Sequence, residues 1–150
     1  MADFNDFKPL RLMAADVEDL KVISACLQDA VAKIGDFAFL PRERRFAFVA
    51  NRFLWECCAD KETGAFARVR VGAHFDDVLA AKQLNLRSDV KDAIIELLAI
   101  RFEPGADGAG AVILDFAGGG AIRLEVESIN CEMRDLSAPW RTRAKPKHEV

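Results

Sequence analysis

The clearest hydrophobic pattern of the chain lies in residues 111–136. In residues 112–117 and 122–127, large apolar side chains recur at every second position. A period of two places one side of a segment against a core and leaves the other in water, as in half-buried strands. The glycine run 118–120 supplies the positive φ angles that a tight reversal needs. The pattern therefore predicts an antiparallel hairpin.

The period changes after this hairpin. Ile129, Met133 and Leu136 are spaced as i, i+4 and i+7, which is one stripe of a helix. This spacing predicts a C-terminal helix over residues 128–136.

A second helix is predicted near the beginning of the chain, over residues 17–26. Asp16 is a favourable N-cap, and acidic residues follow it in the first turn. The apolar positions that fall at helical spacing are Val17, Leu20, Ile23 and Leu27.

The other apolar stretches predict strands at residues 10–14, 30–34, 37–40, 45–55, 67–75 and 93–102. Gly35 and Asp36 indicate a hairpin turn between the second and third of these. The stretch 93–102 fits a buried strand or a helix equally well. We choose a strand there because Leu98, Ile100 and Phe102 alternate with other residues.

These elements predict an α+β fold with a dominant antiparallel sheet, curled into a sandwich or a partly open barrel. A barrel closed by the C-terminal helix would resemble a pleckstrin-homology domain in architecture alone. The element order does not indicate βαβ crossovers, which disfavours parallel nucleotide-binding folds. We expect one domain over residues 1–142 and a flexible basic tail at 143–150.

Composition and charge narrow the function classes. The chain has 150 residues, 51% hydrophobic and 30% charged, with a formal net charge of −3. Four cations lie among the last ten residues against one acid, which leaves an acidic body and makes nucleic-acid binding unlikely to be the function. No apolar run approaches the roughly 18 residues of a membrane span, so we expect no membrane insertion. Four cysteines without C-x-x-C spacing indicate reduced thiols in the cytoplasm.

The strand predicted at 67–75 carries the main candidate for ligand chemistry. Arg68, Arg70 and His74 share one face of it. One interpretation is an anion-binding or acid–base strip, and the other is a solvated sheet face with cross-strand ion pairs. We assign no catalytic residue, no metal ligand and no cofactor, because no spacing motif brings such groups together.

A second set of residues is a candidate for interaction with a partner. Arg42, Arg44 and Arg45 form a basic cluster at a predicted turn. The strand at 45–55 has aromatic residues on both faces, which predicts a homodimer that buries Phe53 or Trp55. Trp140 is expected to pack back on the sheet or on a partner.

Several segments resemble a small alphaproteobacterial family of uncharacterised proteins, a domain of unknown function. They are IRLEVESI at 122–129, MRDL at 133–136, PWRT at 139–142, a late Pro146–His148, IRFEP at 100–104 and PRERRF at 41–46. The likeness spans nearly the whole chain and implies a cytoplasmic bacterial protein. It carries no activity or ligand.

The leading functional hypothesis is therefore a non-enzymatic binding or protein-interaction module. Its basis is the missing catalytic constellation together with a dense apolar core and ample sheet edge. The alternative is a protein or enzyme that binds a small anionic ligand on the Arg68, Arg70 and His74 face.

Overall fold

The computed structural model describes residues 7–54, 66–87 and 89–142. Within these ranges the chain forms eleven strands, one α-helix and one short 3-10 helix. In chain order they are β1 (Arg11–Ala14), α1 (Val17–Leu27), β2 (Val31–Lys33), the 3-10 helix (Ile34–Asp36), β3 (Phe37–Leu40), β4 (Arg45–Phe53), β5 (Phe66–Phe75), β6 (Val78–Leu84), β7 (Ile94–Pro104), β8 (Gly110–Phe116), β9 (Ala121–Val126), β10 (Cys131–Asp135) and β11 (Trp140–Thr142).

The strands form one antiparallel sheet whose two ends do not pair with each other. Its order is β1-β10-β5-β4-β2-β7-β8-β9-β6, with β3 beside β4 and β11 beside β5. Only Asp76 and Asp77 separate β5 from β6, although these strands lie in opposite halves of that order. The sheet must therefore curl to bring them together. The Val78 amide, which donates to the Arg44 carbonyl at 2.9 Å, ties the β6 edge to the start of β4.

The curl encloses one main core on the inner face of the sheet. Alternate residues of each strand point into it, such as Phe46 and Phe48 of β4, and Val71 of β5. Leu114 of β8 and Leu124 of β9 reach the same core from the other half of the sheet, and both are fully buried. The predicted alternation thus follows from one continuous inner face.

Helix α1 packs on this inner face against β7 and β1. The Asp16 side chain accepts a 2.8 Å hydrogen bond from the Asp19 amide, which caps the first turn. The helix buries Leu20, Ile23 and Leu27. In the described part of the chain, no helix has the length and apolar character needed to cross a bilayer.

The predicted fold class is confirmed: the molecule is α+β, mostly antiparallel sheet, and the sheet is open. The helix predicted at 17–26 and the hairpin around residues 118–120 are also present. Gly118 and Gly119 take φ values of 89° and 93° in that turn.

The helix predicted at 128–136 is wrong, because these residues contain β10. This strand pairs with β1 on one edge and with β5 on the other. Cys131 and Met133 point inward at period two, and the charged Asp135 occupies the next inward position. The charged Asp135 at a core position interrupts the apolar alternation that would have indicated a strand. The C-terminal helix that a pleckstrin-homology barrel would require is therefore replaced by strand β10.

The hairpin predicted at Gly35 and Asp36 is also wrong. Residues 34–36 form a 3-10 turn, and β2 and β3 follow each other along the same edge of β4. Both strands run antiparallel to β4, so the chain continues in one direction through the turn instead of reversing.

A buried ion pair joins β4 to β10 across β5. Arg52 Nε and Nη2 each donate to one carboxylate oxygen of Asp135 at 2.8 Å, and both side chains are inaccessible to solvent. The Leu10 amide donates a further 2.8 Å bond to the same carboxylate. Such a pair is costly to desolvate, but removing one partner is costlier still.

We therefore expect Asp135→Ala to lower the free energy of unfolding by about 3–5 kcal/mol, because the Arg52 guanidinium loses its bidentate carboxylate inside the protein. Urea denaturation followed by circular dichroism measures the change. The double variant Arg52→Met, Asp135→Leu should recover much of the loss.

Asp115→Ala provides the control, since it breaks a 2.7 Å pair with Arg101 that lies at the surface. Exposed pairs contribute at most about 1 kcal/mol. Equal losses in Asp135→Ala and Asp115→Ala would contradict a special structural role for the buried pair.

Candidate functional site

The outer face of β4, β5 and β10 contains a trough. Its floor includes Ala47 of β4 and Gly72 of β5, whose short side chains leave room between longer neighbours. Leu136 lies over Gly72, because a β-carbon there would be 3.1 Å from Leu136 Cδ1. Together with charged residues at the rim, these groups enclose about 390 Å³ of open space. The trough can accept a group of a few heavy atoms without rearrangement.

A chain of charged groups lines one end of the trough. His74 Nε2 lies 3.3 Å from Glu132 Oε1, and Nδ1 lies 3.3 Å from Asp76 Oδ2 without the alignment of a hydrogen bond. Arg45 pairs with Asp76 at 2.7 Å, and Arg11 pairs with Glu132 at 2.9 Å. The network therefore joins β1, β10, β5 and β4 on the outer face.

The pKa values in this network follow from its hydrogen bonds. The bond from Arg11, and then the contact with His74, lower the pKa of Glu132, so this group is held as a carboxylate. The bond to Asp76 raises the pKa of Arg45. The carboxylates at this end of the trough are thus already matched by cations of the protein itself.

Two arginines at the trough and its neighbouring depression have no carboxylate match among the described residues, and we call them the arginine pair: Arg70 of β5 and Arg134 of β10. Arg134 lies directly opposite Gly72, two residues from Arg70 along β5, so the pair occupies diagonal positions about 7–8 Å apart. The Arg70 guanidinium donates to the Asn51 side-chain oxygen at 3.4 Å. Neither arginine has a carboxylate partner within the described residues.

The opposite half of the sheet shows a different arrangement of charge. On β7, β8 and β9, Arg101 contacts Asp115 and Glu103 at 2.7 and 3.0 Å. Arg123 contacts Glu103 and Glu125 at 2.8 and 2.7 Å. Two cations there share three carboxylates, so that face satisfies its own charge. In contrast, neither member of the arginine pair has a carboxylate partner among the described residues.

Each member of the pair borders a separate depression. Arg134 lines the trough, while Arg70 lines a smaller depression of about 90 Å³ between β2 and β4. Val49 of β4 lines both. The two spaces therefore lie side by side, with an apolar wall between them and one guanidinium at each.

The structure places the three predicted ligand residues on one face but not in one site. Arg68 and His74 are six residues apart on β5, which corresponds to about 20 Å. The Arg68 guanidinium lies 3.7 Å above the Phe53 ring and donates to the Asn51 carbonyl at 3.1 Å. Burial lowers the pKa of Arg68. Of these three residues, Arg70 is the one that borders the depression next to the trough and has no carboxylate partner among the described residues.

The predicted basic cluster at the β3–β4 turn separates into individual roles. Arg44 pairs with Glu127, and Arg45 pairs with Asp76. Arg42 is exposed. Two of the three charges therefore hold the curled sheet together and are not available to a partner.

The aromatic residues predicted at an interface have distinct surroundings. Phe53 is 1% exposed within the single chain, so it needs no second copy to cover it. Trp140 lies opposite Arg68 in the β11–β5 ladder and remains 38% exposed. Trp55 lies outside the described residues. The physical argument for a homodimer through Phe53 is therefore removed.

Glu132, Arg134, Gly72 and Leu136 were not predicted as site residues. Three of them lie in the segment that was predicted as a helix, and the fourth is a glycine with no chemistry of its own. The available signal was the sequence Glu132, Met133, Arg134, because a strand there would have placed both charges on the face of His74.

The chain belongs to a family described as a protein of unknown function (DUF2948), whose model matches residues 10–148. Neither the curated proteins nor the solved structures include a significant match to it.

Nucleophilic and metal chemistry find little support among the described residues. Cys131 points to the inner face, away from His74, and burial raises its pKa to about 12. A thiol with so high a pKa is a poor nucleophile at neutral pH. The described ranges contain no cluster of His, Cys, Asp and Glu arranged to hold a metal ion.

We accordingly expect Cys131 to resist alkylation in the folded protein. Iodoacetamide labelling at pH 8, followed by peptide mass spectrometry, should modify Cys131 at least tenfold more slowly than in urea, because the native thiol is buried and protonated. Equal rates of modification in the two conditions would mean that the Cys131 thiol is accessible in the folded protein, and a cysteine nucleophile would again be a valid hypothesis.

Proposed function

We propose that this member of the DUF2948 family is a non-enzymatic interaction module that binds an acidic peptide segment of a partner protein. The segment lies across the trough and the neighbouring depression, with its carboxylates on Arg70 and Arg134. The observation that carries the proposal is the arginine pair: two exposed cations at diagonal positions of the sheet, with no carboxylate partner among the described residues, in a protein of net charge −3.

The energetics of the pair favour an anionic ligand. Like charges at neighbouring positions of a sheet repel each other, so the empty site carries an electrostatic cost. A carboxylate that reaches both arginines would relieve the repulsion and form charge-assisted hydrogen bonds, which are about twice as strong as neutral ones. The planar guanidinium suits this geometry better than an ammonium would.

The shape of the site favours an extended peptide over a small metabolite. Small-ligand pockets bury 70–90% of their ligand, whereas this trough is open along the sheet. Val49 and Leu136 provide apolar contacts next to the guanidinium groups, and Leu136 is 48% exposed. An extended segment with alternating acidic and apolar side chains would match both features.

A nucleic acid fits less well, because two unmatched arginines would neutralise few phosphates. We also propose a bacterial cytoplasmic location. It is supported by Cys131, a buried cysteine that is a free thiol.

The test is a fluorescence-anisotropy titration with a labelled ten-residue peptide in which Glu alternates with Ala and Leu. We expect Arg70→Ala and Arg134→Ala each to weaken binding about tenfold, the effect of losing one hydrogen bond to a charged group. A peptide with Gln in place of Glu should bind the wild-type protein no more tightly than the Glu peptide binds either arginine variant.

Arg87→Ala is the matched control, since Arg87 is an exposed arginine in the connection from β6 to β7. It should leave the affinity unchanged. Equal binding of the Glu and Gln peptides, or an equal loss in Arg87→Ala, would overturn the proposal. Tighter binding of a short DNA duplex than of the peptide, dependent on Arg70 and Arg134, would replace the peptide with a nucleic acid.

A further inference from the structure

On the outer face of β10, Glu132 is the carboxylate nearest in sequence to Arg134, because the adjacent Asp135 points inward to Arg52. The two residues are i and i+2 on β10 and share the outer face. Their α-carbons are therefore about 7 Å apart, which long charged side chains can bridge. Glu132 is nevertheless turned away from Arg134, toward Arg11 and His74.

Two other strands of the same sheet carry an arginine and a glutamate at this spacing, with the arginine first, and there the two side chains pair although both arginines also have cross-strand carboxylate partners. Arg101 and Glu103, i and i+2 on β7, pair at 3.0 Å. Arg123 and Glu125, i and i+2 on β9, pair at 2.7 Å. The same spacing on β10 gives no pair. On β10 the glutamate comes first, and both of its oxygens are occupied: Arg11 donates to Oε2, and His74, directly opposite on β5, contacts Oε1.

Resting on the function proposed above, we infer that His74 is a pH-dependent positioning residue for the anion site: when protonated it holds Glu132 away from Arg134, and when neutral it releases Glu132 to pair with Arg134. When Glu132 pairs with Arg134, the anion site is closed, because the protein's own carboxylate then occupies the guanidinium that would bind a carboxylate of the partner. Acidic-peptide binding is therefore stronger at low pH.

The charges around His74 are consistent with this arrangement. Asp76 follows it at the end of β5, and Arg45 of β4 is already paired with Asp76. Glu132 and Arg134 face it from β10, and Ala47 is its uncharged neighbour directly opposite on β4. Arg11 of β1 lies opposite Arg134 in the β1–β10 ladder and bonds to Glu132, and its side chain is 68% exposed.

Arg11 bonds to Oε2 of Glu132 and leaves Oε1 to His74. An ion pair with so exposed an arginine is weak. A neutral imidazole can donate a hydrogen bond to Oε1 but no longer attracts it by charge. The Arg134 guanidinium, two residues away on the same strand, then competes for this oxygen.

The sign of the pH dependence follows from this competition. Protonated His74 favours the open site, so binding of the acidic peptide favours protonation of His74. Affinity is therefore highest at low pH and falls as the pH rises and the His74 imidazole loses its proton.

The experiment repeats the anisotropy titration with the Glu-containing peptide at pH 5.5 and 8.5. The wild-type protein should bind about fivefold more weakly at the higher pH, the lower end of the usual coupling range. His74→Gln, which keeps a hydrogen-bond donor but no charge, should bind weakly at both values. Glu132→Gln should bind tightly at both, because no carboxylate remains to close the site.

Glu132→Gln also separates this mechanism from a direct effect of the His74 charge on the peptide. A direct effect would persist in Glu132→Gln, and persistence would overturn the inference. If the wild-type affinity depends on Arg70 and Arg134 but not on pH, the inference fails while the proposed function stands.

A measurement without peptide keeps the inference testable if no variant binds. The side-chain Nε signal of Arg134 in an ¹⁵N spectrum, assigned by its loss in Arg134→Lys, should shift between pH 5.5 and 8.5 as Glu132 pairs with it. The shift should vanish in His74→Gln and in Glu132→Gln. An Arg134 signal that does not respond to pH in the wild-type protein would overturn the inference.

Discussion

The buried ion pair between Arg52 and Asp135 sets the orientation of β10, and the outer face depends on that orientation. Successive side chains of a strand point to opposite faces, so a one-residue slip would exchange them all. With Asp135 bonded to Arg52 on the inner face, Arg134 and Glu132 must point outward. The chemistry of the outer face is thus fixed by a contact on the inner one.

The same contact explains why the sequence predicted a helix at β10. Ile129, Met133 and Leu136 fit a helical stripe, while a charged residue stands where a strand would need an apolar one. In an analysis of hydrophobic periodicity, a carboxylate is treated as a solvent-exposed position, because charged side chains are rarely buried without a partner. The partner, Arg52, is 83 residues away in sequence, and only the folded chain brings the two together.

The elements that were predicted well are those whose signals are local. The α1 cap at Asp16, the glycine turn after β8 and the alternation of β7 each depend on neighbours within a few positions. The order of the strands in the sheet does not follow from local signals. That β5 and β6 separate after two residues, and that β2 and β3 share one edge of β4, depend on pairings between distant segments. Arg70 and His74 were placed on one face correctly, but Arg134 could join them only through the register of β10 with β5.

The distribution of charge over the sheet connects structure to function. On β7 and β9 each arginine has a carboxylate two residues along its own strand, and the pairs close locally. On β10 the carboxylate two residues before Arg134 is held by His74 and Arg11, and among the described residues Arg134 and Arg70 have no counter-charge. A fold selected for stability alone would gain by letting Glu132 pair with Arg134, because like charges on adjacent strands repel. That the network instead holds Glu132 away is the physical reason to regard this face as a binding surface and the opposite half of the sheet as a structural one.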